Sequence, residues 1–252
     1  MGRRCVLQMK ASLIGRCIVG LAAAGFGCVA YAYLSLPDVR PLARVNPKTT
    51  AFMALRDREA QKAGKTPRRT QRWIGYRQIA PDLTRAVLVA EDASFWQHDG
   101  VDYDELQIAL ELDWARGQLV RGASTITQQL AKNLYLSPSR TPLRKLRELV
   151  IARRLEAELT KARILELYLN VIEWGDGIYG VDAAARAYFD TSAASLSQAQ
   201  SALLAGAIIN PRVLNPARPT ARLLRRQQII LRRAGAGTPP SPGREPVQIG
   251  SK

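Results

Sequence analysis

The sequence predicts a mostly α-helical protein, and three observations support that class. Apolar residues at helical spacing follow Pro81 up to Glu91, and Thr141-Pro142 combines a capping hydroxyl with a proline suited to a first helical turn. Ser197 and Gln200 match a capping box in front of an apolar run. Few segments alternate polar and apolar residues with the period of two that half-buried strands show. We therefore predict helices after residues 81, 141 and 197.

An uncharged apolar stretch over residues 17–36 is long enough to cross a bilayer as a helix, at a rise of about 1.5 Å per residue. The basic residues that flank it all precede it, and they are Arg3, Arg4, Lys10 and Arg16. This bias places the N-terminus in the cytoplasm and exports the rest. A cleaved signal peptide is the alternative, with a weak site at Ala30-Tyr31-Ala32, but the stretch exceeds the usual signal core of about 7–15 residues.

The charge of the chain is strongly basic and unevenly distributed. Lys and Arg number 37 against 21 Asp and Glu, which gives a formal net charge of +16. Much of the excess lies in the N-terminal segment and in residues 211–233, where every charged residue is an arginine. A nucleic-acid protein more often carries its excess on the folded body, and no helix-turn-helix, zinc-finger or aromatic RNA-binding motif occurs here. We therefore predict no nucleic-acid partner.

The basic segment 211–233 also contains apolar residues, which suggests a terminal helix with a basic face toward anionic lipid headgroups. Arg225, Arg226, Arg232 and Arg233 are the cations that we expect on that face. The three cysteines all lie before residue 30, so the exported part has no disulfides and depends on its core.

Three segments carry side chains suited to chemistry. Residues 91–100 begin with Glu91-Asp92 and contain the one histidine, His98. Residues 124–129 place five polar side chains around Ile126, and these must bond locally or bind a polar ligand. Glu148 follows Arg144-Lys145 by one helical turn, which puts a carboxylate and two cations on neighbouring parts of a face. Taken singly, each has a plainer interpretation: a helix cap, a polar helix face, an exposed ion pair or a structural histidine.

Together these segments resemble the glycosyltransferase family 51 module, the peptidoglycan polymerase of bacterial cell-wall synthesis. E-D-x-x-F-x-x-H-x-G matches residues 91–100, G-x-S-T-I-T-Q-Q matches 122–129, R-K-x-x-E matches 144–148, and I-L-E-L-Y-L-N matches 164–170. Residues 196–216 resemble a fifth motif, in which Gln200 stands where the family usually has Glu. The order and spacing fit from about residue 75 to 220, and no transpeptidase domain follows, so we expect a monofunctional member.

The resemblance implies a lysozyme-like helical domain with a large and a small lobe behind one N-terminal transmembrane helix. We expect a basic cytoplasmic N-terminus over 1–16, the transmembrane helix over 17–36, a connector over 37–74, the glycosyltransferase domain over 75–233 and a disordered tail over 234–252. The small lobe should come from about 101–145. Its apolar residues could serve either membrane contact or the core, and they are Leu106, Ile108, Leu110, Leu112, Trp114 and Leu119.

The resemblance also implies the reaction. The family joins the C4 hydroxyl of an acceptor N-acetylglucosamine of lipid II to C1 of the growing glycan strand, with inversion to a β-1,4 link and release of undecaprenyl diphosphate. Glu91 is then the general base, with a pKa raised by burial. Glu148 is the second catalytic carboxylate, which assists the leaving group directly or through a divalent cation, Mg²⁺ or Mn²⁺, bound nearby.

The remaining motif residues receive two kinds of role by the same resemblance. The residues expected to bind or orient substrate are Asp92, Ser124, Thr127, Gln128, Gln129, Lys132, Arg140, Arg144 and Lys145. Those expected to hold the motifs in shape are Phe95, His98, Gly100, Gly122 and Asn170.

The expected setting is the bacterial inner membrane, with a single span, a cytoplasmic N-terminus and a periplasmic catalytic domain. The expected partners are lipid II, the growing glycan strand, the lipid bilayer and other proteins of cell-wall synthesis. Two alternatives stay open. A lytic transglycosylase or lysozyme also uses a glutamate on a helical fold, but does not need cations around the second carboxylate. A non-catalytic cell-wall scaffold would not need Glu91 or Glu148.

Overall fold

The computed structural model describes residues 19–20, 23, 26–27, 35–116, 124–139 and 141–235. The chain divides into two compact units, Met1–Asp38 and Val39–Lys252. Most of the predicted transmembrane helix and nearly all of the predicted tail lie outside the described residues. Within the described ranges, no helix combines the length and the apolar character that crossing a membrane requires.

The second unit is mostly helical, as predicted. Its α-helices are α1 (Ala51–Lys62), α2 (Pro81–Glu91), α3 (Tyr103–Arg116), α4 (Ile126–Tyr135), α5 (Pro142–Glu158), α6 (Lys161–Val171), α7 (Val181–Phe189), α8 (Gln198–Ala207) and α9 (Ala221–Gly235). Short 3₁₀ helices cover Arg40–Ala43 and Tyr76–Gln78.

A small sheet lies beside α7. It consists of β1 (Thr70–Gln71), β2 (Glu173–Gly175) and β3 (Ile178–Tyr179), in the order β1-β3-β2. β3 runs parallel to β1 and antiparallel to β2, and Glu173 pairs with Tyr179 across the hairpin. Gly177 in the turn has φ +73°, and a Cβ there would lie 2.5 Å from the Arg68 carbonyl oxygen. Only glycine fits this turn without displacing the backbone.

The predicted helix starts are confirmed. Thr141 caps α5 by accepting a hydrogen bond from the Arg144 backbone N–H, with Pro142 in the first turn. Ser197 and Gln200 form a reciprocal capping box at the start of α8. Gln200, the one departure from the family pattern, therefore contributes to a helix cap.

One sequence expectation is corrected in detail, and one alternative that the sequence left open is decided for two residues. The terminal helix begins at Ala221, because residues 211–220 form turns without helix. Leu106 and Ile108 in α3 expose 37% and 56% of their surface, so they do not belong to the core. Leu110, Leu112, Trp114 and Leu119 lie outside the described side chains.

Helix α4 packs against both α5 and α6, and α8 packs against both α2 and α9. Ile126 and Leu130 of α4 are fully buried against a core that α5 and α6 supply through Ile151, Leu155 and Ile164. Such side chains contribute about 1.5–3 kcal/mol each by leaving water. This packing places the end of α2, the start of α4 and the start of α5 in one region.

Helix α9 presents an exposed basic face, which we define as Arg222, Arg225, Arg232 and Arg233. Its other face is buried through Leu223, Gln227 and Ile230. Arg226, which the sequence placed on the basic face, is instead half-buried, and its Nε donates to the Gly206 carbonyl oxygen at 3.0 Å.

Candidate active site

Glu91 is the last residue of α2, and two other helices determine its surroundings. The amide Nε2 of Gln129 in α4 donates to Glu91 Oε2 at 3.0 Å. The hydroxyl of Tyr168 in α6 donates to Gln129 Oε1 at 2.9 Å. Gln129 Nε2 also reaches the Ser124 carbonyl oxygen at 3.3 Å. A hydrogen-bonded chain from Tyr168 through Gln129 therefore orients the carboxylate.

The environment of Glu91 favours its protonated form. Burial raises the pKa of the Glu91 carboxyl, and neighbouring Asp92 raises it further. Gln129, Arg226 and Lys132 act in the opposite direction without cancelling the effect of burial. A glutamate with a raised pKa is a better proton acceptor near neutral pH than an ordinary one.

Tyr168 stays a hydrogen-bond donor in this chain. Burial raises the pKa of its hydroxyl well above the ordinary value, and the Glu91 and Asp92 carboxylates add to that rise. A neutral hydroxyl directed at Gln129 leaves the amide N–H directed at Glu91. The amide orientation thus follows from the fixed donor at Tyr168.

Asp92 is buried and connects two segments of the site. Its Oδ2 accepts from the Ile126 backbone N–H at 2.8 Å, and its Oδ1 lies 2.9 Å from His98 Nε2. His98 Nδ1 accepts from the Gly100 backbone N–H at 3.1 Å, so Nε2 carries the hydrogen that is donated to Asp92. With both oxygens bonded within the protein, Asp92 anchors the start of α4 beside Glu91.

Gly100 adopts φ +86°, where a Cβ would lie 3.0 Å from Glu156 Cγ and 3.3 Å from the Ala152 carbonyl oxygen. Its own carbonyl oxygen accepts from Thr125 Oγ1 at 2.7 Å and from Gln128 Nε2 at 3.3 Å. Only glycine combines this conformation with this close approach. The residue therefore fixes the loop that follows Glu91 against the start of α4.

The second carboxylate, Glu148, is buried in α5 between two cations. Its Oε2 pairs with Arg144, and its Oε1 lies 2.5 Å from Lys145 Nζ. Lys145 Nζ also contacts Gln128 Oε1 at 2.9 Å and Ser124 Oγ at 3.1 Å. The cations that the sequence placed one turn before Glu148 are thus joined to it, and through Gln128 to α4.

Lys132 lies one turn further along α4, close enough to both carboxylates for each to affect its pKa. Burial lowers the pKa of its ammonium, as do Arg144 and Lys145, whereas Glu148 and Glu91 act in the opposite direction. Within the described part of the chain it makes no ion pair, and its Nζ lies 5.9 Å from the centre of the Phe52 ring. Lys132 is therefore a half-buried cation that is available to an anionic ligand.

The donors around Glu148 do not fit a divalent metal. Both carboxylate oxygens are already paired with Arg144 and Lys145. The described residues also contain no cluster of three His, Cys, Asp or Glu side chains that could hold an ion. The resemblance left a divalent cation open as one of two routes by which Glu148 assists the leaving group, and that route stays a prediction. The chemistry below is derived from the side chains alone.

Several predicted motif residues lie behind the site. Thr127 is fully buried and donates to Glu156 Oε1 at 2.5 Å, so it supports the fold instead of the predicted substrate contact. Phe95 is fully buried beneath Lys161, whose Nζ lies 4.5 Å from its ring centre. Asn170 is buried, and its side chain bonds the backbone N–H and carbonyl of Ile74. Gly122 and Arg140 lie outside the described residues.

Sequence reasoning missed two residues near Glu91. Tyr168 was part of a recognised motif but received no role, because a tyrosine within an apolar run resembles a core residue. Arg226 was assigned to a lipid-facing surface, yet it lies close enough to lower the pKa of Glu91. Its position directly after Arg225, in a segment whose charged residues are all arginines, offered no signal that one arginine turns inward.

A helical domain that sets a buried carboxylate beside cations grouped on a second carboxylate has the features of a glycosyl-transfer enzyme. The comparisons with known proteins agree. The sequence model of the family described as Transglycosylase matches residues 57–235. The chain therefore belongs to the transglycosylase family, which confirms the resemblance and the assignment as an enzyme.

Several curated relatives align with most of this chain. The chain is 49% identical over 185 residues to a biosynthetic peptidoglycan transglycosylase of Methylobacillus flagellatus, covering 73% of this chain and 81% of the relative. It is 47% identical over 188 residues to the protein of the same name from Laribacter hongkongensis, covering 75% and 82%. A third, from Nitrosospira multiformis, is 47% identical over 196 residues, covering 77% and 85%.

Proposed function

We propose that this enzyme polymerises lipid II into β-1,4 glycan strands and releases undecaprenyl diphosphate, by one inverting displacement with Glu91 as the general base. The arrangement that carries the proposal is a buried glutamate with a raised pKa near Lys132. Lys132 in turn lies within electrostatic range of Arg144 and Lys145, which pair with Glu148. The family membership and the names of the relatives support the substrate class.

In the proposed step, Glu91 accepts the proton of the C4 hydroxyl of the acceptor N-acetylglucosamine. The hydroxyl oxygen forms its new bond to C1 of the N-acetylmuramic acid that ends the growing strand. The bond from C1 to the diphosphate oxygen breaks at the same carbon, so its configuration inverts. Gln129 holds the Glu91 carboxylate in orientation, which a weak sugar nucleophile requires for efficient proton transfer.

The negative charge that develops on the diphosphate needs preorganised cations. Lys132 has no ion pair within the described part of the chain, and Arg144 has a buried Nε without a partner among the described residues. Glu148 holds Arg144 and Lys145 in place through direct ion pairs. We assign Glu148 the role of positioning these cations for the leaving group.

The cation cluster also favours synthesis over the lysozyme-type alternative. Hydrolysis of finished peptidoglycan releases no diphosphate, so it gives no reason to hold the cations Arg144 and Lys145 beside a buried Glu148. The anchor over residues 17–36, the periplasmic location in the inner membrane and contacts with other cell-wall proteins belong to the same proposal. The charge bias around the apolar stretch supports them.

Purified full-length protein incubated with labelled lipid II tests the proposal. We expect a ladder of glycan strands, both with a divalent cation and with a chelator. Glu91→Gln should lose about 100- to 10,000-fold in rate, which is the usual contribution of a general base. Glu158→Gln, at an exposed position at the end of α5, is the matched control. Glycan synthesis at the normal rate by Glu91→Gln would remove the general-base assignment, and release of fragments from finished peptidoglycan instead would reverse the reaction class.

A further inference from the structure

A polar cavity lies outside the site described above. It has a volume of about 590 Å³ and is formed by the end of α1, the loop over residues 63–68 and the β2–β3 hairpin. Its walls carry four cationic and four carboxylate side chains. A cavity with balanced charges of both signs suits a ligand that carries both signs itself.

Two buried polar atoms in the β2–β3 hairpin, which forms one wall of this cavity, have no partner among the described residues. Glu173 lines the wall, and its Oε2 accepts from Arg56 Nε at 3.0 Å, but its buried Oε1 accepts from no group. The hydroxyl of Tyr179, which pairs with Glu173 across the hairpin, is buried without a partner as well. Burial and the Glu173 carboxylate raise the pKa of Tyr179, so the hydroxyl keeps its proton. Buried acceptors without donors are rare, because they lose hydration without compensation.

The cations of the cavity differ in their partners. Arg56 pairs with Glu59 and Glu173, and Arg212 pairs with Asp176. Lys65 and Arg68, which also line the cavity, form no ion pair with any residue in the described ranges. Among the described residues, the cavity thus has one unpaired carboxylate oxygen on its buried side and two cations without ion pairs at its exposed edge.

We propose that this cavity binds a zwitterionic peptide, with an ammonium group at Glu173 and a carboxylate at Lys65 and Arg68. Its source is the stem peptide of the proposed substrate, which is the pentapeptide attached to the disaccharide of lipid II. The inference rests on the proposed function for that source. Helix α1 connects the two places, because Phe52 lies under Lys132 and Ala60 lines the cavity. Phe52 and Ala60 are about 12 Å apart along α1. A pentapeptide spans at most about 17 Å, so a peptide tethered to a sugar near Lys132 reaches the cavity.

The first experiment measures binding of a free pentapeptide by calorimetry. The probe carries a side-chain amine and a C-terminal carboxylate, and two analogues have either the amine acetylated or the carboxylate amidated. We expect full-length protein to prefer the unblocked peptide by about 10- to 100-fold, the worth of one charged hydrogen bond. Glu173→Gln should lose the preference for the free amine, and Arg68→Ala should weaken the preference for the free carboxylate. Glu158→Gln and the exposed Arg58→Ala are the matched controls.

The second experiment uses lipid II with the peptide amine free or acetylated. Tethering raises the effective concentration of the peptide at the cavity, so acetylation should raise KM about tenfold or more and leave kcat unchanged. Glu173→Gln should abolish this difference. Because Arg68 is exposed, Arg68→Ala provides a test that does not depend on folding of the Glu173 variant.

The outcomes separate this site from the proposed reaction. Equal binding of all three peptides together with equal KM for both lipid II forms would overturn the site. Selective binding of the free peptide with equal KM would overturn the stem peptide as its source. Glu91→Gln should lose polymerisation and keep peptide binding. If the wild-type protein binds the peptide selectively but makes no glycan, that result contradicts the proposed function and leaves the peptide site standing.

Discussion

The chain of hydrogen bonds to Glu91 leads to a prediction about pH. Gln129→Met keeps the length of the side chain but removes the N–H that donates to Glu91 Oε2 at 3.0 Å. That bond stabilises the ionised carboxylate and lowers its pKa. Its loss should therefore raise the pKa of Glu91 further, beyond the increase that burial already causes in the wild-type protein. A hydrogen bond to a charged group contributes about 1.5–3 kcal/mol, and the lower figure changes the ionised fraction about tenfold at a fixed acidic pH.

The assay is kcat/KM for lipid II polymerisation across pH. A general base must be ionised, so the acidic limb of the profile follows the Glu91 carboxyl. We expect Gln129→Met to move that limb to higher pH, with about tenfold lower activity on the limb and nearly normal activity on the alkaline plateau. Tyr168→Phe should move it in the same direction by less, because it only frees Gln129 Oε1. Gln198→Met, at an exposed position in α8, is the matched control.

One result would refute this reasoning. If Gln129→Met lowers activity by the same factor at every pH, the side chain does not act through the proton of Glu91. It would then contact the substrate directly, as the sequence resemblance implied.

Three further predictions concern the cations and the backbone. Lys132→Ala should lower kcat for lipid II about 100- to 1000-fold, the loss typical of one preorganised charge at a developing anion, whereas the exposed Lys62→Ala should not. Gly100→Ala should lower the free energy of unfolding in urea by about 2–5 kcal/mol, because a strained φ and close packing act together. Gly64→Ala, which has a similar φ in open space, should cost only about 1–2 kcal/mol. Replacing the basic face of α9 with glutamine should weaken binding to anionic liposomes, by about 1 kcal/mol per cation; unchanged binding would show that this face does not contact lipid.

The helix starts could be predicted because their causes are local. A hydroxyl at Thr141 or Ser197 bonds a backbone N–H three residues later, so both groups appear in one short stretch of sequence. Glu148 and its cations obey the same logic within one helical turn. The strands could not be predicted in this way, because two or three residues are too few to show an alternating pattern.

The interior of the site could not be predicted because its partners come from distant segments. The polar run before and within α4 indicated hydrogen bonding, but not with which groups. Thr127 bonds Glu156, and Gln128 bonds the Gly100 carbonyl and Lys145. In the sequence, a buried threonine that donates a hydrogen bond to a distant carboxylate cannot be told apart from one that contacts a ligand. Only the packing of α4 against α5 distinguishes them.

Replacement by glutamine is expected to change the melting temperature in opposite directions at Glu91 and at Glu148. The pKa of Glu91 is raised in the folded state. At a pH well above the ordinary glutamate pKa, the folded protein therefore contains an ionised Glu91 whose charge burial disfavours. Glu91→Gln should therefore raise the melting temperature at pH 8, and the gain should disappear as the pH falls to about 4. Glu148 is buried in direct pairs with Arg144 and Lys145, so Glu148→Gln leaves both cations without their anion.

Breaking a buried pair costs about 3–5 kcal/mol, and the partial exposure of Lys145 places this loss near the lower figure. Thermal unfolding of both variants at pH 8 distinguishes the two environments without any activity measurement. If both glutamine variants shift the melting temperature in the same direction, the two carboxylates do not differ as their contacts indicate. The separation of roles then fails, because a base must accept a proton while a carboxylate that positions cations must keep its ion pairs.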